Sequence, residues 1–581
     1  MRRDSYAVAQ TGDRELAWLG GVGAVMLALV AGVESAGVAG GLFATRHPVV
    51  IALPDASETL VRLTQHVGAS AWPAIDRRWL PETMAAPLGF GMFVAVAFAA
   101  TAFCALSRLA RPVGGDGARF ARAGDLSSLR ARSEVGHGIP LGYHHGRELV
   151  GEPNASVALC GPSQVGKSLA AVVRAILKWD GCLIVLSMKE ELLRYTLHIR
   201  EQRGDVKIFD PTRQTGYRTN TWSPVAASNT WSEARAIAAA LLQIGREADR
   251  YDREPHWRRT AARYLAPLLL AANQTGQSMR VVLSWIDLFE RDAVRSILKA
   301  SADPESQYAL ENLESLWKTD HRYQGSVIGT LSTALDAWQE PSVAEATAGP
   351  DITPQWLCAG PNTLYVVAPA SQQRQPQNLF GGLLVHMIDG ALAIAQRSST
   401  GRLPLPLLCA LDEICNAAPL PTLGRYASSG AGRGVLLLSV IQDYSQAIDT
   451  WGRERAATII SNHRGKLFWS GIADPATFEY IDHLLGREER ERQSRTRQSF
   501  GGTSTTHATE LRPLAPPHQL RQANVGTALL VYGQLPPVWT QQRLFFEDPQ
   551  LRRLVPDEIW KELPTDRRPS RGRWVLTGFM R

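Results

Sequence analysis

The sequence predicts an α/β protein in which a parallel sheet carries an all-helical insertion and follows a membrane hairpin of two helices. Three observations predict this arrangement. Two apolar stretches without charged residues lie near the N-terminus, short apolar runs then alternate with helical segments, and about 110 central residues have a helical period. With 581 residues, 45% of them hydrophobic, the chain has room for about two to four domains and is not disordered over most of its length.

The N-terminal stretches are long enough to be membrane spans. Uncharged residues run from Leu16 to Val33 and again from Met84 to Leu106. At about 1.5 Å per residue, each run can cross a hydrocarbon core of about 30 Å. We therefore expect spans at about 16–38 and 84–107. A cleaved signal peptide is the alternative for the first run, but the length of that run and the second span argue against cleavage.

The placement of arginine predicts the orientation of this hairpin. Arginines precede the first span and follow the second: Arg2, Arg3, Arg14, Arg108, Arg111, Arg119 and Arg122. The loop 45–83 also carries four arginines, partly balanced by acids, so the bias is moderate. Positive residues favour the cytoplasmic side. The sequence therefore predicts a multi-pass membrane protein with loop 45–83 outside, and with both termini and the large body in the cytoplasm.

Cysteine usage and net charge narrow the class of protein. The six cysteines have no CxxC or CxxH spacing and mostly lie in apolar runs, which indicates buried thiols in a reducing compartment. The net charge of +7 is compatible with nucleic acid or anionic lipid as a partner and proves neither.

The body of the chain begins with alternating strands and helices. After a Gly- and Arg-rich linker, regular structure is expected from Leu149, with a helix at Leu169–Trp179. The apolar runs that predict strands are Ala155–Cys160, Gly181–Leu186, Val206–Phe209, Thr363–Val367, Leu405–Leu411, Gly434–Ile441, Lys466–Trp469 and Thr527–Tyr532. Strands that alternate with helices predict a parallel sheet covered by helices on its faces.

The remaining segments complete the domain organisation. Long Ala- and Leu-rich segments from Trp231 to Trp338 predict the all-helical insertion. Gly486–Ala508 is polar and rich in arginine, which is typical of a mobile loop or linker. The predicted units are a membrane anchor at 1–110, a linker and start of the body at 111–148, a nucleotide-binding domain at 149–228 and 350–549, an all-α domain at 229–349, and a polar tail at 550–581.

One motif predicts a phosphate-binding loop. The complete pattern G-x-x-x-x-G-K-S is formed by Gly161, Pro162, Ser163, Gln164, Val165, Gly166, Lys167 and Ser168, between a predicted strand and a predicted helix. Glycines let backbone N–H groups turn towards phosphate oxygens, and the helix N-terminus adds positive potential. Lys167 is expected to reach the β- and γ-phosphates, and the Ser168 hydroxyl to bind Mg²⁺.

A second motif supplies the carboxylates that a phosphate loop needs. The apolar run 406–411 ends in Asp412 and Glu413. Asp412 is expected to hold Mg²⁺, and Glu413 to orient or deprotonate the attacking water. By itself the pair would be a strand running into a charged turn. With the phosphate loop it predicts an enzyme, a P-loop ATPase that uses ATP and Mg²⁺.

Three further residues are weaker candidates. Gln442 follows a predicted strand and is positioned to sense the γ-phosphate, although a surface Gln is the commoner reason for such a residue. Arg433 and Arg425 precede that strand. Either could stabilise transition-state charge on a neighbouring subunit's nucleotide, as an arginine finger does, or could simply be solvated.

The order of the motifs makes the sequence similar to a known family. After two spans and the phosphate loop come Ser187-Met188-Lys189-Glu190-Glu191-Leu192, Phe209-Asp210-Pro211, Thr221-Trp222-Ser223-Pro224, Trp257 with Ala261-Ala262-Arg263, Asp412-Glu413, Gln442-Asp443-Tyr444-Ser445-Gln446 and Gly471-Ile472-Ala473-Asp474-Pro475. From about Gly142 to Pro549, this order resembles the TraG/TraD (VirD-type) family of type IV coupling proteins, the membrane-anchored ATPases of conjugation and type IV secretion.

The resemblance implies a RecA-like nucleotide-binding domain, an all-α domain projecting from it, and homo-hexamers around a channel with ATP between subunits. It carries the catalytic roles onto Lys167, Ser168, Asp412 and Glu413, the sensor role onto Gln442, and favours Arg433 as the finger. Two departures are Ser-Met-Lys-Glu-Glu where the family often has Asp-Pro-Lys-Gly-Glu, and a short tail without a long acidic extension.

The predicted function is therefore an ATPase in the cytoplasmic (inner) membrane that couples a relaxase–DNA complex to a type IV secretion channel. Single-stranded DNA would be gripped through its phosphates without sequence readout. Three alternatives remain open: a coupling ATPase for protein effectors only, an FtsK-like translocase of double-stranded DNA, and a membrane scaffold that does not hydrolyse nucleotide. The sequence does not specify the cargo, the direction of transport or the number of subunits.

Overall fold

The computed structural model of the chain describes residues 118–130, 138–243, 254–367, 377–497 and 503–562. The chain divides into two compact units, Met1–Asp116 and Gly117–Arg581. The first unit lies outside the described residues, and so do the predicted spans and the predicted external loop.

The second unit is built on a sheet of eleven strands. In chain order the strands are β1 Pro140–His144, β2 Arg147–Val150, β3 Val157–Cys160, β4 Cys182–Ser187, β5 Val206–Phe209, β6 Thr363–Val367, β7 Leu407–Leu411, β8 Val435–Ile441, β9 Gly465–Trp469, β12 Thr527–Tyr532 and β13 Val538–Gln541. Their spatial order is β2-β1-β13-β12-β9-β3-β8-β7-β4-β6-β5. A separate two-stranded sheet pairs β10 Arg487–Arg497 with β11 Thr503–Pro513.

Seven adjacent strands, from β9 to β5, form a parallel sheet. Most of their residues are buried because helices cover both faces, and such strands are near-continuous apolar runs. Short apolar runs between turn residues therefore predicted these strands well. Val206–Phe209, Thr363–Val367 and Thr527–Tyr532 have the predicted bounds, and the fold class of an α/β sheet is confirmed.

Apart from the strand Thr527–Tyr532, the antiparallel edge of the sheet was not predicted. Strands β12, β13, β1 and β2 add to β9 in sequence, each antiparallel to its neighbour. The stretch 111–148, predicted to be a linker and the start of the body, contains a strand of the sheet, β1, and the start of β2. β1 and β2 are short and contain Pro, Gly, Arg and Glu, so they lack the apolar run and the alternation that indicate a strand.

The helices lie on both faces of the sheet and in the insertion. The described helices are α1 Val173–Lys178, α2 Glu191–Arg203, α3 Trp231–Gln243, α4 Glu254–Gln274, α5 Met279–Asp287, α6 Asp292–Ala300, α7 Pro304–Trp317, α8 His321–Ala334, α9 Pro341–Ala346, α10 Pro354–Cys358, α11 Gln377–Arg397, α12 Ile414–Ala417, α13 Leu423–Ser429, α14 Tyr444–Trp451, α15 Arg453–Asn462, α16 Pro475–Leu485, α17 Pro517–Gln522, α18 Pro549–Arg552 and α19 Asp557–Glu562.

Helices α3 to α9 form the predicted insertion, which contains no strand in its described residues. Its core is continuous with one face of the sheet because α11 packs between them. A Cβ added at Gly382 of α11 would lie only 2.8 Å from Leu241 Cδ2 of α3, so glycine permits this close approach. Within the described residues, α11 is also the single helix long and apolar enough to cross a membrane, although 67% of its apolar window is buried inside the protein.

Two polar segments contain regular structure that the sequence did not predict. The mobile loop predicted at Gly486–Ala508 belongs to the β10–β11 hairpin, in which Arg487 pairs with Pro513 and Arg497 with Thr503. Because its residues are mostly polar, the hairpin gives no apolar alternation, and only backbone pairing reveals it. The tail predicted from residue 550 also begins with packed structure, since the buried Trp560 stacks on Phe545 at 5.6 Å between centroids.

Candidate nucleotide-binding site

The candidate residues meet at the carboxyl edge of three neighbouring parallel strands. β8 pairs with β3 on one side and with β7 on the other. The phosphate loop follows β3, Gln442 follows β8, and Asp412 follows β7. Ligands of open α/β sheets bind outside the carboxyl ends of the strands, where connections run in opposite directions. Residues separated by as many as 281 positions in the chain thus share one site, and the site includes every predicted residue except the two candidate arginines, Arg433 and Arg425.

The phosphate loop has the backbone shape that its glycines predict. Gly166 has a φ of +85°, and Gln164 a φ of +66°, which is unusual for a residue with a side chain. At Gly161 a side chain would overlap Trp469, so only glycine fits there. Within the described part of the chain, the amide groups of residues 163–165 donate no hydrogen bond. Consecutive amides of this kind form a cradle for an anion.

Lys167 lies inside this loop with its side chain buried. Its Nζ donates to the carbonyl oxygens of Gly161 and of Pro162, the latter at 2.7 Å. Burial lowers the pKa of Lys167, while the nearby carboxylate of Asp412 acts in the opposite direction. The lysine is therefore a cation held in a partly desolvated loop, where its attraction for phosphate is stronger than in water.

Ser168 and Asp412 join the two motifs directly. Ser168 Oγ donates to Asp412 Oδ2 at 3.0 Å. Burial, together with the neighbouring charge of Glu413, raises the pKa of Asp412 to about 6. A hydroxyl and a buried carboxylate at this distance suit Mg²⁺, which takes one or two protein oxygens and completes its shell with phosphate and water. The described residues contain no cluster of three or more His, Cys, Asp or Glu side chains that could hold a metal ion.

Glu413 has a strained backbone. It lies in the left-handed region with φ +51° and ψ +44°, just before α12. For a residue with a side chain this conformation costs about 1–2 kcal/mol. Its carboxylate is 23% exposed, accepts a long hydrogen bond from Asn416 Nδ2 at 3.5 Å, and lies 4.0 Å from Lys189 Nζ. This backbone conformation places the acidic side chain of Glu413 close enough to Asp412 for their charges to interact.

Gln442 begins a hydrogen-bonded segment after β8. Its backbone N–H donates to Gln446 Oε1 at 3.0 Å, and Gln446 Nε2 donates to Asn416 Oδ1 at 3.1 Å. Sequence reasoning singled out Gln442 and missed the contribution of Asn416 and Gln446. The only signal was the presence of Gln446 in the motif Gln-Asp-Tyr-Ser-Gln; Asn416 belongs to no motif.

The two candidate arginines lie at the opposite edge of the sheet. Arg433 precedes β8 and is exposed, and its guanidinium makes no hydrogen bond or ion pair within the described ranges. A seven-residue strand spans about 23 Å, so Arg433 cannot reach the phosphate loop of its own chain. Arg425 instead pairs with Asp389 at 2.9 Å and lies over the ring of Tyr426.

Comparison with known proteins identifies relatives that share most of this unit. The family model for type IV secretory system conjugative DNA transfer matches residues 128–563. Protein VirD4 of Rhizobium rhizogenes is 25% identical over 431 residues, which cover 68% of this chain and 59% of that protein. Conjugal transfer protein TraG of Escherichia coli is 23% identical over 429 residues, covering 67% and 66%. The chain thus spans about six tenths of the length of the VirD4 protein.

Solved structures show the same fold. The bacterial conjugative coupling protein TrwBΔN70 in its unbound form superposes with a TM-score of 0.57 and 17% identity, covering 74% of this chain and 95% of that chain. The plasmid coupling protein TrwB in complex with ADP and Mg²⁺ gives a TM-score of 0.56 with 17% identity and the same coverage. The α/β fold expected from the resemblance is therefore confirmed.

Proposed function

Because the chain belongs to the type IV secretory system conjugative DNA transfer family, we propose that it is a membrane-anchored ATPase that couples a relaxase–DNA substrate to a secretion channel. The observation that carries the proposal is the contact between Ser168 and Asp412. This contact joins the phosphate loop to the acidic motif Asp412-Glu413 in the way that hydrolysis of a nucleoside triphosphate requires.

The residues divide the chemistry among them. Lys167 and the loop amides bind the β- and γ-phosphates, while Ser168 and Asp412 hold Mg²⁺. When bound, Mg²⁺ neutralises charge on the phosphate oxygens. Glu413 orients the attacking water and accepts its proton. Gln442, at the tip of the strand between the two motifs, contacts the γ-phosphate and transmits its loss.

The active form is a ring of subunits, a homo-hexamer by family analogy. Arg433 supports this proposal because its exposed side chain lies far from the phosphate loop of its own chain. It acts as an arginine finger on the nucleotide of the neighbouring subunit, where it stabilises the charge of the transition state. Arg425 is the poorer candidate because Asp389 already binds its guanidinium.

The remaining parts of the chain supply location and substrate recognition. The predicted spans place the protein in the inner membrane, with both termini and the ATPase body in the cytoplasm. The all-α domain at 229–349 recognises the relaxase, and basic residues inside the ring hold single-stranded DNA through its phosphates. Proteins of the secretion channel are the partners at the membrane.

The test is ATP hydrolysis by the full-length chain in lipid nanodiscs, with and without single-stranded DNA, over a range of protein concentrations. We expect turnover that rises with both DNA and concentration and that disappears in Lys167→Ala and Glu413→Gln. Turnover that is indifferent to DNA would point to protein effectors as the cargo, and a preference for duplex would point to a double-stranded DNA translocase. Tight nucleotide binding without turnover would contradict the ATPase and favour a scaffold.

A further inference from the structure

Two amide side chains connect the acidic motif to the Gln motif. Gln446 of α14 contacts the backbone of Gln442 with one end of its amide, and Asn416 of α12 with the other. Asn416 in turn contacts Glu413. These three contacts form an uninterrupted chain of hydrogen bonds between residues that follow two adjacent strands of the sheet, β7 and β8.

We call this chain of hydrogen bonds the relay. The backbone N–H of Gln442 fixes the direction of every hydrogen bond in it. A backbone N–H can only donate, so the atom of Gln446 that faces Gln442 must be its oxygen, Oε1. Gln446 then presents Nε2 to Asn416 and must donate. Asn416 accepts through Oδ1 and is left with Nδ2 facing Glu413, so it donates to the carboxylate. The oxygen and nitrogen of an isolated side-chain amide can exchange places. Here the backbone N–H of Gln442 fixes both amides in one orientation.

The backbone of Asn416 is held independently of this relay. Its N–H donates to the carbonyl of Glu413 at 2.8 Å, and its carbonyl accepts from Gln377 Nε2 at 2.6 Å. Asn416 therefore stays beside Glu413 when its side chain is changed. The relay lies on the wall of a cleft of about 1120 Å³ between the insertion and the sheet.

We propose that Asn416 is a positioning residue for the Glu413 carboxylate, and that Gln446 determines which end of the Asn416 amide faces it. This inference rests on the proposed hydrolysis and extends it to two residues that the sequence did not predict as site residues. A donor on Oε2 restricts the rotamers of the Glu413 carboxylate, the group that accepts a proton from water in the proposed reaction. The relay also ties that carboxylate to the backbone of the sensor residue.

The decisive variants are two substitutions of Gln446. In Gln446→Ala, Asn416 loses a partner but can still donate to Glu413. In Gln446→Glu, a nearly isosteric carboxylate can only accept, so Asn416 turns Nδ2 towards it and presents an oxygen to Glu413. We therefore expect Gln446→Glu to lower kcat about tenfold and Gln446→Ala to lower it less, about twofold to threefold. A purely structural role predicts the reverse order, since Ala removes the whole side chain.

The measurement is steady-state ATP hydrolysis by the full-length protein in nanodiscs, with nucleotide affinity measured on the same samples. Asn416→Ala should lower kcat about tenfold while the affinity for a fluorescent ATP analogue changes less than about twofold. Asn416→Asp, which replaces the donor with a second carboxylate beside Glu413, should lower kcat at least as much as Asn416→Ala. Asn378→Ala is the matched control, because Asn378 lines the same cleft but donates to the Ala334 carbonyl.

The outcomes separate this inference from the proposed function. If the wild-type chain does not hydrolyse ATP, both fail. If it does, and Gln446→Glu is at least as active as Gln446→Ala, the relay is wrong while the ATPase stands. A rise in KM with unchanged kcat in Asn416→Ala would also overturn it, since that result assigns Asn416 to nucleotide binding.

Discussion

Each of the two edges of the parallel sheet has a buried lysine, but the two lysines have different neighbours. Lys167 at the carboxyl edge and Lys466 near the amino edge are equally buried at 8% exposure, and each donates to backbone carbonyls. Only Lys167 has carboxylates beside it. Burial of a lysine therefore does not by itself indicate a ligand-binding site. The sign is the convergence of loops at the carboxyl ends of neighbouring strands.

The largest effect should separate these two lysines. Lys167→Ala removes a cation from the phosphate cradle and should lower kcat/KM for ATP by about 10³-fold. Lys466→Ala should lower the melting temperature while leaving the turnover of the folded protein within about threefold. Hydrolysis rates of both variants, normalised to the folded fraction, check this. Equal losses of activity in Lys167→Ala and Lys466→Ala would contradict a functional difference between the two edges.

The second effect is the difference in kcat between variants of Glu413 at the carboxyl edge and Glu152 at the amino edge. Glu413→Gln should lower kcat by at least about 10²-fold and retain nucleotide binding, because the change removes only the proton acceptor. Glu152→Gln, which weakens the ion pair with Arg464 at the amino edge, should leave kcat unchanged. Single-turnover hydrolysis and nucleotide titration measure the two quantities. Loss of binding in Glu413→Gln would assign that residue to the phosphate cradle instead.

The third effect tests whether Arg433, at the amino edge of one subunit, acts on the nucleotide at the carboxyl edge of the neighbouring subunit. Arg433→Ala should lower kcat about 10²-fold, and Arg425→Ala by much less. Mixing Arg433→Ala with Glu413→Gln protein should restore part of the activity, since some interfaces then combine an intact glutamate with a neighbour's intact arginine. Hydrolysis is measured after the subunits have been exchanged. Two inactive variants that stay inactive when mixed would show that Arg433 does not act in trans.

The smallest effect is on stability. Burial raises the pKa of Asp412 from 3.8 to about 6, so the folded protein binds more protons than the unfolded chain between those values. Stability therefore decreases as the pH rises through this window, by up to about 3 kcal/mol from this group. Asp412→Asn should raise the melting temperature of the Mg²⁺-free protein at pH 7.5 and give little gain near pH 4. An equal gain at both pH values would contradict the buried charge.

Sequence reasoning predicted the parts of this molecule in which one signal sufficed. A continuous apolar run identified β6 because both faces of that strand are buried, and the complete motif identified the phosphate loop because its chemistry depends on spacing. The β10–β11 hairpin was missed because backbone pairing holds it together and its side chains are mostly polar. Asn416 was missed because its role depends on a partner thirty residues away, and no local pattern records such a contact.

The order of strands has a consequence for synthesis of the protein. The phosphate-loop strand β3 lies between β8 and β9, and its contact residue Gln442 is 282 residues further along the chain. At about 5–20 residues per second, the ribosome needs tens of seconds to add that stretch. For most of this interval the nascent loop lacks the acidic motif, and throughout it the loop lacks β9 and a complete β8. The ATP that we propose as the ligand would therefore bind only the finished unit, and its binding would stabilise completed chains over partial ones by mass action.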